Sequence, residues 1–346
     1  MFRKANREPN FNNFIKTLKS EPTARPVLFE FIISEDKERY LIGEKFNNET
    51  EFDRVKSTIL AFDSAGYDFS PIIVRGLTFE REHEEIAHVK TKSINEGNMI
   101  KDWASFYDYS WPEISDCDFS IIKEAGKYLH PKAKFIPFSL DGILENTIGI
   151  VGYETLCLMI YDDYQLAKAI FNEIGKRIKA YFVECLKYDE VGAILCNDDW
   201  GFNTQTMLSP KVLRECVFPW YKEIVEEAHK LGKYAILHSC GYYNDIIDDI
   251  INKMKFDGKH SYEDNIIPVE KAYANLQGKI AVIGGIDINF LTNATPEEVY
   301  KRSKKMLLNS KDKGGYALGS GNSIPEYIPL ENYLALLKAA NEDYDE

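Results

Sequence analysis

The sequence is poor in basic residues and has no long apolar segment. Its 346 residues include 42 Lys and Arg against 55 Asp and Glu, a net charge of −13. Such a charge repels nucleic-acid phosphates and anionic lipids. The first residues, MFRKANREPNFNNFIK, lack the apolar core of a secretion signal, and no apolar run approaches bilayer length. We therefore expect a cytoplasmic protein that binds neither nucleic acid nor membranes. The sequence leaves its oligomeric state open.

Cysteine is also scarce, and its distribution does not indicate a disulfide framework. The sequence has no CxxC pair and no dense cysteine spacing. We interpret the cysteines as reduced thiols, most of them small core residues. The six are Cys117, Cys157, Cys185, Cys196, Cys216 and Cys240.

Short apolar runs alternate along the chain with segments of helical character. Strands that alternate with helices predict parallel βαβ units, and eight such units predict a closed (β/α)8 TIM barrel of the α/β class. The eight candidate strands are residues 26–33, 67–74, 134–140, 191–197, 234–239, 257–261, 279–285 and 315–320.

Helix-start signals support the same interpretation. Ser209 precedes Pro210, and Thr295 is followed by a proline and then by Glu298, which would complete a capping box. We expect one barrel domain over residues 1–346, with a less regular N-terminal extension or lid within residues 1–133.

Polar side chains follow most of the candidate strands. The carboxyl ends of barrel strands meet at one mouth, where active sites form. Carboxylates at these ends suit acid–base chemistry, although an aspartate there can instead cap the next helix. We predict that Asp198, Asp199 and Glu263 are catalytic. The predicted substrate-binding residues are Glu30, Asp141, Trp200, Ser320 and Asn322.

The stretch YAILHSCG carries two side chains that can bind a metal. Positions i and i+2 of a strand share a face, so His238 and Cys240 would point into the same space. His260, at the end of the next candidate strand, is a third possible ligand. A structural interpretation stays open for all three, since a histidine at a strand end can simply hydrogen-bond to the backbone or anchor its loop.

Five segments, taken in order, resemble the uroporphyrinogen decarboxylase superfamily. That superfamily includes the uroporphyrinogen decarboxylases and the corrinoid-dependent methyltransferases. The resemblance is strong over residues 190–340 and loose before them, and it implies a (β/α)8 barrel with the active site in its mouth. The segments are NDDWGFNTQTMLSP, HSCG, KHSYEDNIIPVEKA, IAVIGGIDINFL and GGYALGSGNSIPEYIPLENYLALLKAA.

The resemblance also implies a zinc site, of which this chain keeps only part. The zinc-dependent methyl-transferring members use a His-x-Cys pair, matched here by His238 and Cys240, and a second Cys in the C-terminal glycine-rich loop. Asn322 occupies that third position, where the decarboxylases carry a His. An amide is a poor zinc ligand beside a thiolate or an imidazole. A third ligand would have to come from elsewhere, and the candidates are Glu30, Asp198, Asp199, His260 and Glu263.

The resemblance implies a methyltransferase component. It would move a methyl group from a small methylated donor, for example an aryl methyl ether, to a corrinoid carried by a partner protein. One alternative is uroporphyrinogen decarboxylase, although the chain lacks the arginine-rich N-terminal stretch of those enzymes and its negative charge disfavours their polycarboxylate substrate. A further alternative is a non-catalytic binder of a corrinoid or tetrapyrrole.

Overall fold

In the part of the chain that the structure describes, seven parallel strands and a surrounding set of helices make up the fold. The computed structural model describes residues 7–81, 95 and 97–342. The strands are β1 (Phe69–Ile72), β2 (Lys134–Pro137), β3 (Ala193–Asn197), β4 (Tyr234–His238), β5 (Gly258–His260), β6 (Ala281–Ile283) and β7 (Tyr316–Ala317).

The helices lie before the first of these strands, between them, and after the last one. Two π-helical turns, Leu213–Val217 and Asp249–Lys253, follow β3 and β4 respectively. The α-helices are α1 (Phe11–Leu18), α2 (Glu35–Ile42), α3 (Glu51–Ala65), α4 (Trp103–Asp108), α5 (Ser120–Gly126), α6 (Ile143–Val151), α7 (Tyr153–Asp162), α8 (Tyr164–Leu186), α9 (Pro210–Val212), α10 (Phe218–Lys230), α11 (Val269–Leu276), α12 (Ile288–Asn293), α13 (Pro296–Ser310) and α14 (Leu330–Asn341).

The strands close into the predicted (β/α)8 barrel. β1 pairs with β2, and β3 to β7 pair in chain order, all in parallel. Parallel bridges at Phe135 and Phe138 join β2 to the β3 segment. Residues 26–33 take the place of the first barrel strand, because Leu28 and Ile33 bridge to the segment that contains and follows β7. The sequence prediction of eight strand positions is therefore confirmed, with the first one held by isolated bridges.

The strand sequences explain why the strands are buried. β3 reads AILCN and is buried throughout, and β4 reads YAILH and is buried after its first residue. Continuous apolar runs of this kind are typical of parallel strands that are covered on both faces. The helices pack on the outer face, and the inner face is filled by side chains that include Phe29 and Phe69, whose ring centroids lie 5.4 Å apart.

The predicted helix starts are confirmed in detail. Thr295 caps α13, with the Glu298 backbone N–H donating to Thr295 Oγ1 at 3.3 Å and the Glu298 carboxylate accepting from the Thr295 backbone N–H at 2.8 Å. Ser209 caps α9, and the Val212 N–H donates to its hydroxyl at 3.3 Å. These local signals position the helices between the strands and so help to orient the loops at the mouth.

The N-terminal part of the described chain has longer connections between its elements than the rest. It contributes α1 to α5, the first barrel segment and β1, with long connections between α3 and β2. Residues 82–94 and 96, which belong to the predicted extension or lid, lie outside the described residues, and the lid stays a prediction. Within the described part, each helix taken singly is too short or too polar to cross a membrane. Taken together, α6 and α7 are long and apolar enough for a membrane span, but a bend of 94° lies between them.

Candidate metal centre

The register of three neighbouring strands brings His238 and His260 together. Asn197 pairs with His238 across β3 and β4, and His238 pairs with His260 across β4 and β5. Residues in register on adjacent strands point to the same side of the sheet. The two imidazoles consequently meet inside the barrel near its mouth, with Nδ1 of one ring 2.7 Å from Nδ1 of the other.

Two loops meet just above this pair and add a carboxylate. The loop after β3 carries Asp199, whose Oδ1 accepts the Cys240 backbone N–H at 2.7 Å. The loops approach closely because both have glycine at the crossing. A Cβ on Gly241, which has φ +84°, would lie 2.0 Å from the Gly201 carbonyl oxygen. Only glycine fits such a contact, so these residues set the distance between Asp199 and Cys240.

Asp199, His238 and Cys240 form a group of three potential metal ligands. Their donor atoms all lie within 4.8 Å of one another. The Cys240 sulfur is 3.6 Å from His238 Nε2, and Asp199 Oδ1 is 3.9 Å from the same nitrogen. A tetrahedral zinc ion with usual bond lengths would place sulfur and nitrogen roughly 3.6 Å apart, and nitrogen and oxygen roughly 3.4 Å apart. The three side chains therefore fit a zinc ion with small adjustments and leave a fourth position open.

Burial controls the protonation of all three side chains. It lowers the pKa of His238 well below its ordinary value, and the neighbouring His260 acts in the same direction. Burial raises the pKa of the Cys240 thiol well above its usual range, with the Asp199 carboxylate as the next cause. Burial also raises the pKa of Asp199. Without a cation, these shifts favour the neutral forms of His238 and Cys240, so binding of a cation by the thiolate would displace the Cys240 proton.

Two polar side chains surround the Cys240 sulfur. Asn322 Nδ2 lies 3.2 Å from Sγ and donates to it, and the thiol lies 3.5 Å from Ser261 Oγ. Asn322 thus contacts a potential ligand without offering a good donor atom of its own. This is the place that a second cysteine takes in the zinc-binding pattern described above.

A cavity of about 760 Å³ opens beside Asn322 at the barrel mouth. Glu263 lines it and also accepts the Gly241 backbone N–H through Oε1 at 3.1 Å, which links the cavity wall to the Cys240 loop. Asp264 and Asp287 lie on the same wall. Glu263 is therefore the predicted catalytic carboxylate that faces open space next to the metal centre.

His260, one of the three predicted metal ligands, has both ring nitrogens engaged. Its Nδ1 contacts His238, and its Nε2 lies 3.1 Å from the Ser320 carbonyl oxygen. A ligand needs a free lone pair directed at the metal, so we withdraw His260 from the ligand set.

Asp198 and Trp200 lie in the core beneath the mouth rather than on an open cavity wall. Both are fully buried. The Asp198 carboxylate accepts the backbone N–H groups of Leu144 and Glu145 at 3.0 Å each and the Trp200 indole N–H at 2.8 Å. Burial raises the pKa of Asp198 to about 7, and these hydrogen bonds oppose the rise. Asp198 thus holds the start of α6 and Trp200 donates to it, while the catalytic role of Asp198 and the substrate-binding role of Trp200 stay predictions.

Glu30 and Ser320, both predicted to bind substrate, hold each other in the core. Ser320 donates to Glu30 through its backbone N–H and through its hydroxyl, at 2.7 Å each. Neither side chain is exposed, and burial raises the pKa of Glu30 to about 8. Asp141 is different, because it is partly exposed, forms an ion pair with Arg81 at 2.5 Å and lines a second cavity of about 560 Å³.

Sequence reasoning missed three residues at this site. Phe31 packs on the His238 ring with centroids 4.7 Å apart, and on Phe138 at 4.8 Å. Lys259 is fully buried beneath the site, donates to the carbonyl oxygens of Ser239 and Ser261, and has its pKa lowered to about 8 by burial. A lysine in the middle of a candidate barrel strand is a signal that could have identified Lys259, whereas the phenylalanines looked like ordinary core residues.

Fold and site together define a (β/α)8 barrel protein with a His/Cys/Asp donor set at its mouth. The uroporphyrinogen decarboxylase (URO-D) family profile matches residues 137–342, and the chain belongs to this family. The family resemblance inferred from the sequence motifs is thereby confirmed.

Two curated relatives and one solved structure that the chain resembles are methyltransferases. The methylated-thiol–coenzyme M methyltransferase of Methanosarcina mazei is 27% identical over 140 residues, which is 40% of this chain and 35% of that protein. The methylcobamide:CoM methyltransferase MtbA of Methanosarcina acetivorans is 30% identical over 123 residues, 35% of this chain and 34% of that protein. The chain thus spans about a third of the length of each of these relatives. A solved methyltransferase from Methanosarcina mazei shares the fold, with a TM-score of 0.70 at 15% identity over 97% of this chain and 99% of that one.

Proposed function

We propose that the protein is the methyltransferase component of a corrinoid-dependent system. It would move a methyl group between a small methylated compound and a corrinoid held by a partner protein. The observation that carries the proposal is the convergence of Asp199, His238 and Cys240 at the barrel mouth. The names of the two partial relatives, which describe methyl transfer to coenzyme M and from a methylcobamide, support the same class of reaction.

Zinc is the cofactor that the donor set fits best. Cysteine sulfur, imidazole nitrogen and carboxylate oxygen are all common zinc ligands, and three protein ligands with an open fourth position are typical of catalytic zinc sites. Asp199 would take the place of the second cysteine that this chain lacks. When bound, the ion would act as a Lewis acid toward the heteroatom that carries or releases the methyl group.

The protein side chains have separate tasks in this proposal. The bond between the methyl carbon and the donor heteroatom breaks with its electron pair staying on the heteroatom, and the electron pair of the reduced cobalt forms the new bond. The heteroatom then takes up a proton, for which we propose Glu263 as the donor because it lines the adjacent cavity. Phe31, only 7% exposed, covers the His238 ring and keeps water from it.

The methyl donor is proposed to be a small compound such as an aryl methyl ether. The apolar rings of Phe31 and Phe138 beside the candidate metal centre suit an aromatic donor. Uroporphyrinogen decarboxylation is less well supported, because the 760 Å³ cavity presents Glu263, Asp264 and Asp287 to a substrate that is itself a polycarboxylate. The corrinoid partner and the cytoplasmic location stay predictions.

The test combines metal analysis with a corrinoid assay. Protein purified without chelator should contain about one zinc per chain, and with free cob(I)alamin it should form methylcobalamin from an aryl methyl ether, followed by visible absorbance. Cys240→Ala should lose the zinc and most of the methyl transfer. Cys157→Ala, at an exposed cysteine, is the matched control and should keep both.

Two results would contradict the proposal. Zinc-free wild-type protein together with a fully active Cys240→Ala variant would make the His-x-Cys pair structural. Decarboxylation of uroporphyrinogen by the wild type would favour the decarboxylase alternative, and corrinoid binding without methyl transfer from any donor would favour a non-catalytic binder.

A further inference from the structure

We propose that His260 is a positioning residue that fixes His238 in the tautomer with an unprotonated Nε2. The inference rests on the metal centre of the proposed function, but it concerns hydrogen bonds that this chain makes without any metal. His260 acts through His238 and would not touch a metal or a substrate.

The Ser320 carbonyl determines where the proton of His260 lies. A carbonyl oxygen can only accept a hydrogen bond, and it lies 3.1 Å from His260 Nε2. The hydrogen of a neutral His260 ring must therefore be on Nε2. Its Nδ1 then has a free lone pair and can only accept.

The proton position of His260 determines that of His238 through the short contact between the two rings. The two Nδ1 atoms are 2.7 Å apart, so one must donate and the other accept. Since Nδ1 of His260 accepts, Nδ1 of His238 carries the hydrogen. That leaves the Nε2 lone pair of His238 directed toward Cys240 Sγ, at 3.6 Å, and toward Asp199, at 3.9 Å. A histidine ligand is held in this way when its other nitrogen donates to a fixed acceptor.

We call the two hydrogen bonds that join Ser320 to His260 and His260 to His238 the relay. The surrounding residues keep the relay rigid and uncharged. Both imidazoles are buried, 3% and 0% exposed, and lie against Phe31 and Phe29 at centroid distances of 4.7 and 5.1 Å. Such surroundings disfavour a charged pair, in which His260 would donate through both nitrogens. Glu30 holds Ser320 by two hydrogen bonds of 2.7 Å, so the carbonyl that begins the relay has a fixed position. Glu30 therefore supports the metal centre from the core.

Two substitutions at His260 distinguish the effect of its hydrogen bonds on zinc binding from the effect of its packing. His260→Asn keeps an acceptor oxygen near the position of Nδ1, whereas His260→Phe keeps a ring but removes both nitrogens. We expect His260→Phe to bind Zn²⁺ about 10–100-fold more weakly than the wild type, the usual effect of losing such a partner. His260→Asn should retain most of the affinity. His229→Phe, at a half-exposed histidine paired with Asp257, is the control for the same chemical change.

Affinity is measured by competition with a chromophoric chelator, with Zn²⁺ alone as the probe and circular dichroism to check folding. Unchanged affinity in a folded His260→Phe variant would overturn the proposal, and so would equal losses in the Phe and Asn variants. Rescue by Asn supports it, because a purely structural role would not depend on an acceptor atom.

A second measurement stands apart from metal binding and catalysis. Nitrogen-15 NMR of histidine-labelled, metal-free wild-type protein reports which ring nitrogen of His238 carries hydrogen, with the signals assigned by the His260 and His229 variants. Hydrogen on Nδ1 upholds the relay, and hydrogen on Nε2 refutes it even if the protein transfers methyl groups. If the relay is upheld and no methyl transfer is found, the proposed function has failed and the relay has not.

Discussion

Glu30→Gln tests whether the buried carboxyl at the start of the barrel is an anchor or a substrate ligand. The glutamine is nearly isosteric, can accept the Ser320 N–H through its oxygen and can donate to the Ser320 hydroxyl through its amide nitrogen. It removes only the ability to ionise. If Glu30 serves to hold Ser320, the variant should fold, bind Zn²⁺ and transfer methyl groups much like the wild type.

The structure also gives the expected effect on stability. Burial raises the pKa of Glu30 from an ordinary value of 4.5 to about 8, so between these values the folded state holds a proton that the unfolded state has lost. Stability relative to Glu30→Gln is therefore highest below pH 4.5 and falls as pH rises toward 8. The free energy of unfolding falls by at most about 1.4 kcal/mol for each pH unit in this interval. The interval is 3.5 units (8 minus 4.5), so the total loss has an upper limit of about 5 kcal/mol.

The assay is urea unfolding of both proteins at several pH values from 5 to 9. The free energy of unfolding of the wild type should decline relative to the variant up to about pH 8 and then stay parallel. Glu331→Gln, at an exposed position in α14, controls for the loss of one carboxylate. A constant difference between wild type and Glu30→Gln across this range would refute the reasoning, and so would loss of methyl transfer in a stably folded variant.

Three further predictions concern the metal centre and its loops. Asn322→Cys should bind Zn²⁺ at least roughly tenfold more tightly, because position 322 adjoins the Cys240 sulfur and a thiolate is a far better ligand than an amide. Unchanged affinity in chelator competition would count against this geometry. Wild-type affinity for Zn²⁺ should increase with pH, by roughly tenfold per unit for each proton released, since the pKa values of Cys240 and Asp199 are both raised in the metal-free protein. Calorimetry in buffers of different ionisation enthalpy would count the released protons. Binding that releases no proton would exclude thiolate ligation. Gly241→Ala should destabilise the protein by roughly 2–5 kcal/mol, from the positive φ and the contact with Gly201; urea unfolding measures the cost, and a neutral substitution would show that the loops can separate.

The sequence alone determined the barrel and the end at which the candidate metal centre lies. Apolar runs buried on both faces and alternating with capped helices have few solutions other than parallel βαβ units, and parallel strands bring their carboxyl ends to one mouth. The pairing of His238 with Cys240 also followed from strand periodicity, because residues two apart share a face. These features depend on neighbours along the chain, which the sequence displays directly.

Only the tertiary structure decided what each polar side chain does at that mouth. Asp198 and Asp199 are adjacent in sequence, yet one holds the start of α6 in the core and the other faces His238. His238 and His260 both end strands, yet Nε2 of His238 faces the Cys240 sulfur, whereas Nε2 of His260 is used by the Ser320 carbonyl. The reason is that these roles depend on distances between separate loops and strands, set by strand register and by the Gly201–Gly241 contact, and no local pattern in the sequence encodes those distances.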